Sequence, residues 1–292
     1  LTIRLHANDD VLIAGQQLLP DTLIDAEKLS VRDLIPAGHK LAAHDIRAGE
    51  TVRRYNQTIG LARCDIAAGQ HVHVHNLGMA DFQHDYGIGT EIHIPETVTQ
   101  AASFQGFRRP DGKAGTRNYL AVIASVNCSA TVVRAIAAHF SPERLAAWPN
   151  VDGVIALPHP LGCGINTRSE GMQNLIRTMI GFARHPNFAG VLFVGLGCEQ
   201  NQIGPFFDAI PGRAPGMLRQ IIMQQEGGTR AAIRRGIEEI AAMLDAANAC
   251  RRETIPVGEL IVGLKCGGSD GYSGITANPA LGVASDLLVA HG

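Results

Sequence analysis

Val122-Ile-Ala-Ser-Val-Asn-Cys128 is an apolar run that breaks off on small and polar residues, and it is one of four such places. Val154-Ile-Ala-Leu-Pro-His-Pro-Leu-Gly-Cys163, Val191-Leu-Phe-Val-Gly-Leu-Gly-Cys198 and Glu259-Leu-Ile-Val-Gly-Leu-Lys-Cys266 end on a cysteine in the same way; the last continues through Gly-Gly-Ser-Asp-Gly-Tyr-Ser-Gly-Ile-Thr-Ala-Asn-Pro279. Short apolar runs bounded by turn residues read as buried strands. Helical spacing lies between them: Val132, Val133, Ile136 and Phe140, then Met172, Leu175, Ile176, Met179 and Ile180, then Ile233, Ile237, Ile240 and Leu244. Strands alternating with helices predict an α/β body. In open α/β sheets ligands sit beyond the carboxyl ends of the strands. The four turns and their cysteines are therefore expected to share one crevice.

Each turn carries groups suited to chemistry. Cys128 stands just before the helix that Ser129 is placed to cap, where free N–H groups favour a reactive or metal-binding thiolate over an inert buried thiol. Ser125 and Asn127 surround it with hydrogen-bonding groups. His159 with Cys163, and Cys198 with Glu199, combine glycine-rich turns with residues that coordinate or transfer protons. Gly228-Thr229 opens the longest helical pattern and presents free N–H groups and a hydroxyl, which suit a carboxylate or serve as an ordinary cap. Ser269, Asp270, Ser273, Thr276 and Asn278 give the last loop more polarity than a tight turn needs.

The amino-terminal part has a different rhythm. Ile35-Pro-Ala-Gly-His-Lys-Leu41, Ile46-Arg-Ala-Gly-Glu-Thr-Val52 and Ile66-Ala-Ala-Gly-Gln-His-Val72 repeat one pattern, which reads as strand, tight turn and strand with glycine at positive φ. An all-β module over residues 1–78 is predicted, then a connecting segment over 79–104, then the α/β body over 105–292. The run Gln70-His-Val-His-Val-His-Asn76 is read as a strand with His71, His73 and His75 on one face. Such a face suits a metal or a carboxylate, or is the polar side of an edge strand. His39-Lys40 is either an anion-binding pair or a solvated turn. Gly106-Phe-Arg-Arg-Pro-Asp-Gly-Lys-Ala-Gly-Thr-Arg-Asn118 carries Arg108, Arg109, Lys113 and Arg117, and reads as a clamp for an acidic substrate or as a charged turn.

Composition narrows the function classes. The chain has 292 residues, 46% of them hydrophobic and 18% charged, enough for more than one core. A formal net charge of -2 with no dense basic run gives no reason to expect nucleic acid or an anionic membrane as partner. No run approaches the roughly 20 apolar residues of a membrane span. Six dispersed cysteines do not resemble a secreted disulfide framework, so reduced thiols and a cytoplasmic address are expected.

The repeated Ile-x-Ala-Gly pattern with Gly38-His39-Lys40 and Val72-His-Val-His-Asn76 resembles a SAF domain, which implies a β-clip fold. Gly106 to Tyr119, Ser125-Val-Asn-Cys-Ser-Ala130, His159-Pro-Leu-Gly-Cys-Gly164, Gly195-Leu-Gly-Cys-Glu199, Gly227-Gly-Thr229 and Cys266-Gly-Gly-Ser-Asp270 with Thr276-Ala-Asn-Pro279 resemble the altronate/galactarate dehydratase family, nearly end to end. His73-Val-His-Asn76 with Asp81-Phe82 and Asp85-Tyr86 leans towards its altronate branch. The resemblance implies a hydro-lyase that forms a 2-keto-3-deoxy acid with the help of a divalent metal, usually iron(II), an iron–sulfur cluster being the second choice. A homo-oligomer is expected. Family members extend beyond the Thr-Ala-Asn-Pro motif, so the chain is expected to continue past Gly292. The expected catalytic groups are His159, Cys128 and Asp270. Substrate contacts are expected from His39, Lys40, Asn76, Arg117, Asn127, Gly228, Thr229, Ser269 and Asn278, and metal contacts from His73, His75, Cys163, Cys198, Glu199 and Cys266. A sulfolactate sulfo-lyase and a noncatalytic sugar-acid-binding protein are the alternatives.

Overall fold

The computed structural model describes residues 1–79, 92–210, 213–268 and 271–292. Asp81, Phe82, Asp85, Tyr86, Ser269 and Asp270 lie outside the described residues. The chain forms two compact units, one of Leu1–Thr97 with Val262–Ala290 and one of Val98–Ile261 with His291–Gly292. Residues 262–290, which follow the α/β body in sequence, group with the amino-terminal unit.

The first unit begins with nine short strands: β1 (Thr2–Ile3), β2 (Val11–Ala14), β3 (Leu23–Ile24), β4 (Leu29–Ser30), β5 (Lys40–Ala42), β6 (Thr51–Arg54), β7 (Gln57–Ala62), β8 (His71–Val72) and β9 (Leu77–Gly78). They make a sheet ordered β1-β2-β5-β8, a second ordered β6-β7-β9 and the hairpin β3-β4, all antiparallel. The Ile-x-Ala-Gly repeat explains the turns. Ile35, Ile46 and Ile66 are buried, while Gly38, Gly49 and Gly69 all sit at φ near +80°, open to glycine at no steric penalty. Ile46 and Ile66 exchange both backbone hydrogen bonds, which brings two copies of the repeat face to face. Any side chain at Gly69 would also strike the Ser30 carbonyl, at 2.1 Å from a Cβ.

The second unit contains β10 (Ser103–Arg108), β11 (Ala114–Gly115), β12 (Tyr119–Ala124), α1 (Ala130–His139), β13 (Gly153–Leu157), α2 (Glu170–Ala183), β14 (Phe188–Gly195), α3 (Gly204–Asp208), β15 (Leu218–Ile222), α4 (Thr229–Ala249) and β16 (Glu253–Pro256); the chain returns to the first unit before α5 (Ala277–Ala290). Its main sheet is parallel with the order β13-β12-β14-β15. Period-two alternation buries both faces. Leu120, Val122, Leu192 and Val194 pack with α1 and α4, whereas Ala121, Ile123, Val191 and Phe193 pack with α2 and α3. This is why three of the apolar runs were continuous rather than alternating. α1 and α4 approach closely at Gly236, where a Cβ would stand 2.2 Å from Ile136 Cδ1. β10, β11 and β16 form a separate antiparallel sheet ordered β11-β10-β16.

The fourth apolar run departs from its reading. Residues 260–268 form no strand, and Ile261 is 94% exposed. Apolar content signals a need for burial, but no described strand pairs with this run. No helix among the described residues is long and apolar enough to cross a membrane.

Candidate functional site

Strand order places the site of the second unit. The chain runs from β12 to β13 on one side, then crosses to β14 on the other, so the carboxyl ends of β12 and β14 form a topological switch point. Three turns are tied together there. Asn127 N donates to Leu161 O at 2.9 Å, Gln200 N to Cys163 O at 3.0 Å, and Asn201 Nδ2 to Ser125 O at 3.0 Å. The start of α4 joins them: Gln224 N donates to Leu196 O, and Gly228 N to Met223 O. Gly197, at φ +124°, leaves room that a Cβ would take from Gln224 Oε1, 2.6 Å away.

Glu199 is the brace of this arrangement. It is 3% exposed and accepts from Ser125 Oγ at 2.6 Å, Leu196 N at 3.0 Å and Gly197 N at 2.6 Å. Burial pushes its carboxyl up, but the hydrogen bonds from Ser125 and the turn's backbone more than offset this and hold it below the usual range. Both oxygens accept hydrogen bonds within the chain, so Glu199 orders the turn.

His159 follows β13 and faces inward. Its Nδ1 accepts from Leu161 N at 3.2 Å, which leaves the proton of the neutral ring on Nε2. Nε2 is buried with no hydrogen-bond partner among the described residues. Burial lowers its pKa, partly offset by the nearby carbonyls of Ser125 and Ala124, so the ring is neutral at pH 7. A neutral imidazole with a fixed Nε2–H is a hydrogen-bond donor. Cys128, Cys163 and Cys198 are free and exposed, as are Asn127 and Thr229. Ser129, expected to cap α1, instead donates its hydroxyl to Val126 O.

Arg117 does not reach this end. It precedes β12, whose length puts it about 20 Å from the crevice at ~3.3 Å per residue. Its guanidinium bonds the Thr116 carbonyl.

The first unit gathers its own groups. β8 stops at Val72 and a turn follows, so the predicted histidine strand is shorter than expected. The rings meet nonetheless: His39 lies 5.1 Å from both His71 and His73, and His71 lies 5.4 Å from His73 and 5.5 Å from His75, between centroids. Asn76 makes the turn. It is buried, with Oδ1 accepting from His73 N at 3.0 Å and Nδ2 donating to His71 O at 2.8 Å. His39, Lys40, His73 and Tyr272 line an open hollow of about 450 Å³. Burial, and then Arg54, lower the Lys40 pKa. Arg54 Nε is itself buried without a hydrogen-bond partner. Nothing in the local sequence marks Arg54, because a charged residue at a strand end is ordinary. Asn278 is exposed near the start of α5, its N–H bonded to Ser273 O, and Cys266 is exposed in the same unit.

Imidazole suits a divalent first-row ion. As placed, however, His39 Nδ1 and His71 Nε2 hold each other at 3.0 Å, and no group of three or more His, Cys, Asp or Glu among the described residues is arranged to hold an ion. The described donors therefore do not fit a metal without rearrangement, and no step below runs through one.

The histidine cluster makes the fold sensitive to acid. Burial, then His39, His73 and His75, lower the His71 pKa, and burial also lowers those of His139, His159 and His185. On acidification the unfolded chain takes up protons first, at its ordinary histidine value, so stability falls as pH drops through about 6.5. A thermal midpoint that declines from pH 7.5 to 5, less steeply in His71→Gln, is expected. A midpoint flat across that range contradicts the assignment.

Comparison with known proteins places these features in one family. The profile described as D-galactarate dehydratase/Altronate hydrolase, second domain, matches residues 106–248. The Altronate/galactarate dehydratase SAF domain matches 1–80, and the D-galactarate/Altronate dehydratase C-terminal domain matches 257–292. Altronate dehydratase of Bacillus subtilis (strain 168) is 34% identical over 99% of this chain and 58% of its own length. Altronate dehydratase of Escherichia coli (strain K12) is 37% identical with the same coverage. Galactarate dehydratase (L-threo-forming) of Escherichia coli (strain K12) is 34% identical over 99% of the chain and 57% of its own length. The chain thus spans a little over half the length of these relatives. With a SAF domain followed by an α/β body, it belongs to the altronate/galactarate dehydratase family.

Proposed function

We propose that the protein dehydrates a sugar acid, altronate first and galactarate next, to the 2-keto-3-deoxy acid. The observation that carries this reading is the convergence of His159, Cys128 and the amino end of α4 at the switch point of a parallel sheet, in a chain of this family. The reaction removes the C2 proton, expels the C3 hydroxyl as water and lets the resulting enol become the ketone. A base, an acid and a place for the substrate's negative charge are needed. The negative charge of a bound sugar acid favours the imidazolium form of His159, which gives its Nε2–H to the departing hydroxyl and returns to the neutral ring. Cys128, exposed at the end of β12, is the candidate base among the described residues. The N–H groups and hydroxyl at Thr229 suit a carboxylate, because α4 is 21 residues long and directs its dipole there. Iron(II) or another divalent ion is the cofactor we propose on the family likeness, with an iron–sulfur cluster as the second choice; the described donors as placed do not hold it, and no step is assigned to it.

The hollow beside His39 and Lys40 is the second place for an anionic group. Lys40 lines it and feels the charge of Arg54, so an acid bound there relieves Lys40. Replacing Lys40 with Met is expected to raise KM about 10- to 100-fold, the worth of one charge-assisted hydrogen bond, with a smaller change in kcat. Steady-state kinetics on altronate measure this, and an unchanged KM removes Lys40 from the site.

A further inference from the structure

At the opposite end of the main sheet from the crevice, the amino ends of β14 and β15 border a cavity of about 90 Å³ that neither the sequence reading nor the proposed reaction uses. At ~30 Å³ per water it has room for about three waters, or for one small oxyanion. Phe188 and Met217 line it with Arg109, Arg184, His185 and Arg213.

The charge around it is out of balance. Arg109 is 7% exposed, and its guanidinium donates to Pro186 O at 2.6 Å, Arg117 O at 3.1 Å and Cys250 Sγ at 3.8 Å. Arg213 donates to the carbonyls of Phe188, Ala183 and His185. Neither arginine has a carboxylate within ion-pair distance among the described residues. One acid, Asp111, lines the cavity and acts on both arginines, and it also pairs with Lys113 at 3.6 Å; Asp152 accepts from Asn118 N at 2.6 Å, and Glu253 and Glu259 hold Arg108. The carboxyl ends of α2 and α4 contribute about half a negative charge each, screened at the surface. That does not balance two part-buried guanidiniums with Arg184 beside them. Burial, then Arg109, push the Arg213 pKa down to about 10, and Asp111 offsets them only in part.

We propose that this arginine-lined cavity is a binding site for a small multivalent oxyanion of the phosphate type, held by the guanidiniums of Arg109 and Arg213. Guanidinium forks match the oxygens of phosphate in pairs. The eight residues of β14 put the cavity about 25 Å from the crevice, so the site is separate from the sugar-acid site and does not depend on that reading.

Isothermal titration of the protein with inorganic phosphate, in chloride buffer at constant ionic strength, tests this. Saturable one-to-one binding is expected, at least about tenfold weaker in Arg213→Gln. Because Arg213 also ties three carbonyls, Ala246→Leu serves as the second variant: it keeps helix propensity, narrows the cavity where Ala246 lines it, and is expected to weaken binding equally. His159→Ala should bind phosphate as the parent does. Methyl phosphate bound as tightly as phosphate assigns the site to a phosphomonoester, and weaker binding assigns it to the free ion. No saturable heat, or the same affinity in the parent and in both cavity variants, overturns the proposal.

Discussion

Replacing His159 with Ala is expected to lower turnover of the sugar acid by about 10²- to 10⁴-fold, the usual worth of a positioned proton donor. The prediction rests on three features of one ring. Leu161 N fixes the tautomer, burial keeps the ring neutral at pH 7, and Nε2 lies unpartnered beside the end of β12. An unpaired buried N–H costs about 1–3 kcal/mol, and a substrate oxygen brought to it recovers that energy. Removing the ring leaves the turn without that group and without the contact to Leu161, so the variant's circular dichroism and thermal midpoint must be compared with the parent's. Normal turnover in a folded His159→Ala protein refutes the assignment.

Glu199→Ala is expected to lower stability by about 3–5 kcal/mol, because it strips a buried carboxylate from three donors at once. Ser125 Oγ, Leu196 N and Gly197 N then have no acceptor, and the turns after β12 and β14 lose their common anchor. The effect has a defined pH dependence. Since hydrogen bonds hold the folded carboxyl below its ordinary value, its stabilisation is present above the unfolded pKa of about 4.3 and is lost as pH falls through the folded one. Urea unfolding at pH 7 and again in mild acid measures both. A difference below about 1 kcal/mol, or one independent of pH, contradicts this role.

The sequence shows the body's sheet because its information is local. Val122, Val154 and Val191 begin runs whose neighbours are apolar on both faces, and helical spacing marks α1, α2 and α4 between them. The Ile-x-Ala-Gly turns are legible for the same reason: each needs one buried apolar residue and one glycine at positive φ. Three site readings needed information that spacing does not hold. Glu199 and Asn76 look like ligands until their partners are seen, since a polar residue in a turn braces the turn or faces a ligand with the same sequence pattern. Arg117 looks like a substrate clamp only while the end of the sheet on which it sits is unknown. The run after Glu259 has the composition of a buried strand, yet strands form by pairing and composition names no partner. Arg54 and Arg213 were missed because their environments are built from residues distant in the chain.

The central claim is that the chemistry is loss of water from a sugar acid. Its most direct measurement is a product assay on the purified protein with altronate, galactarate and sulfolactate, supplied anaerobically with iron(II) and a reductant. The account predicts a 2-keto-3-deoxy acid from altronate or galactarate, abolished in His159→Ala, and no sulfite from sulfolactate. Sulfite release from sulfolactate without keto-acid formation from either sugar acid would contradict it.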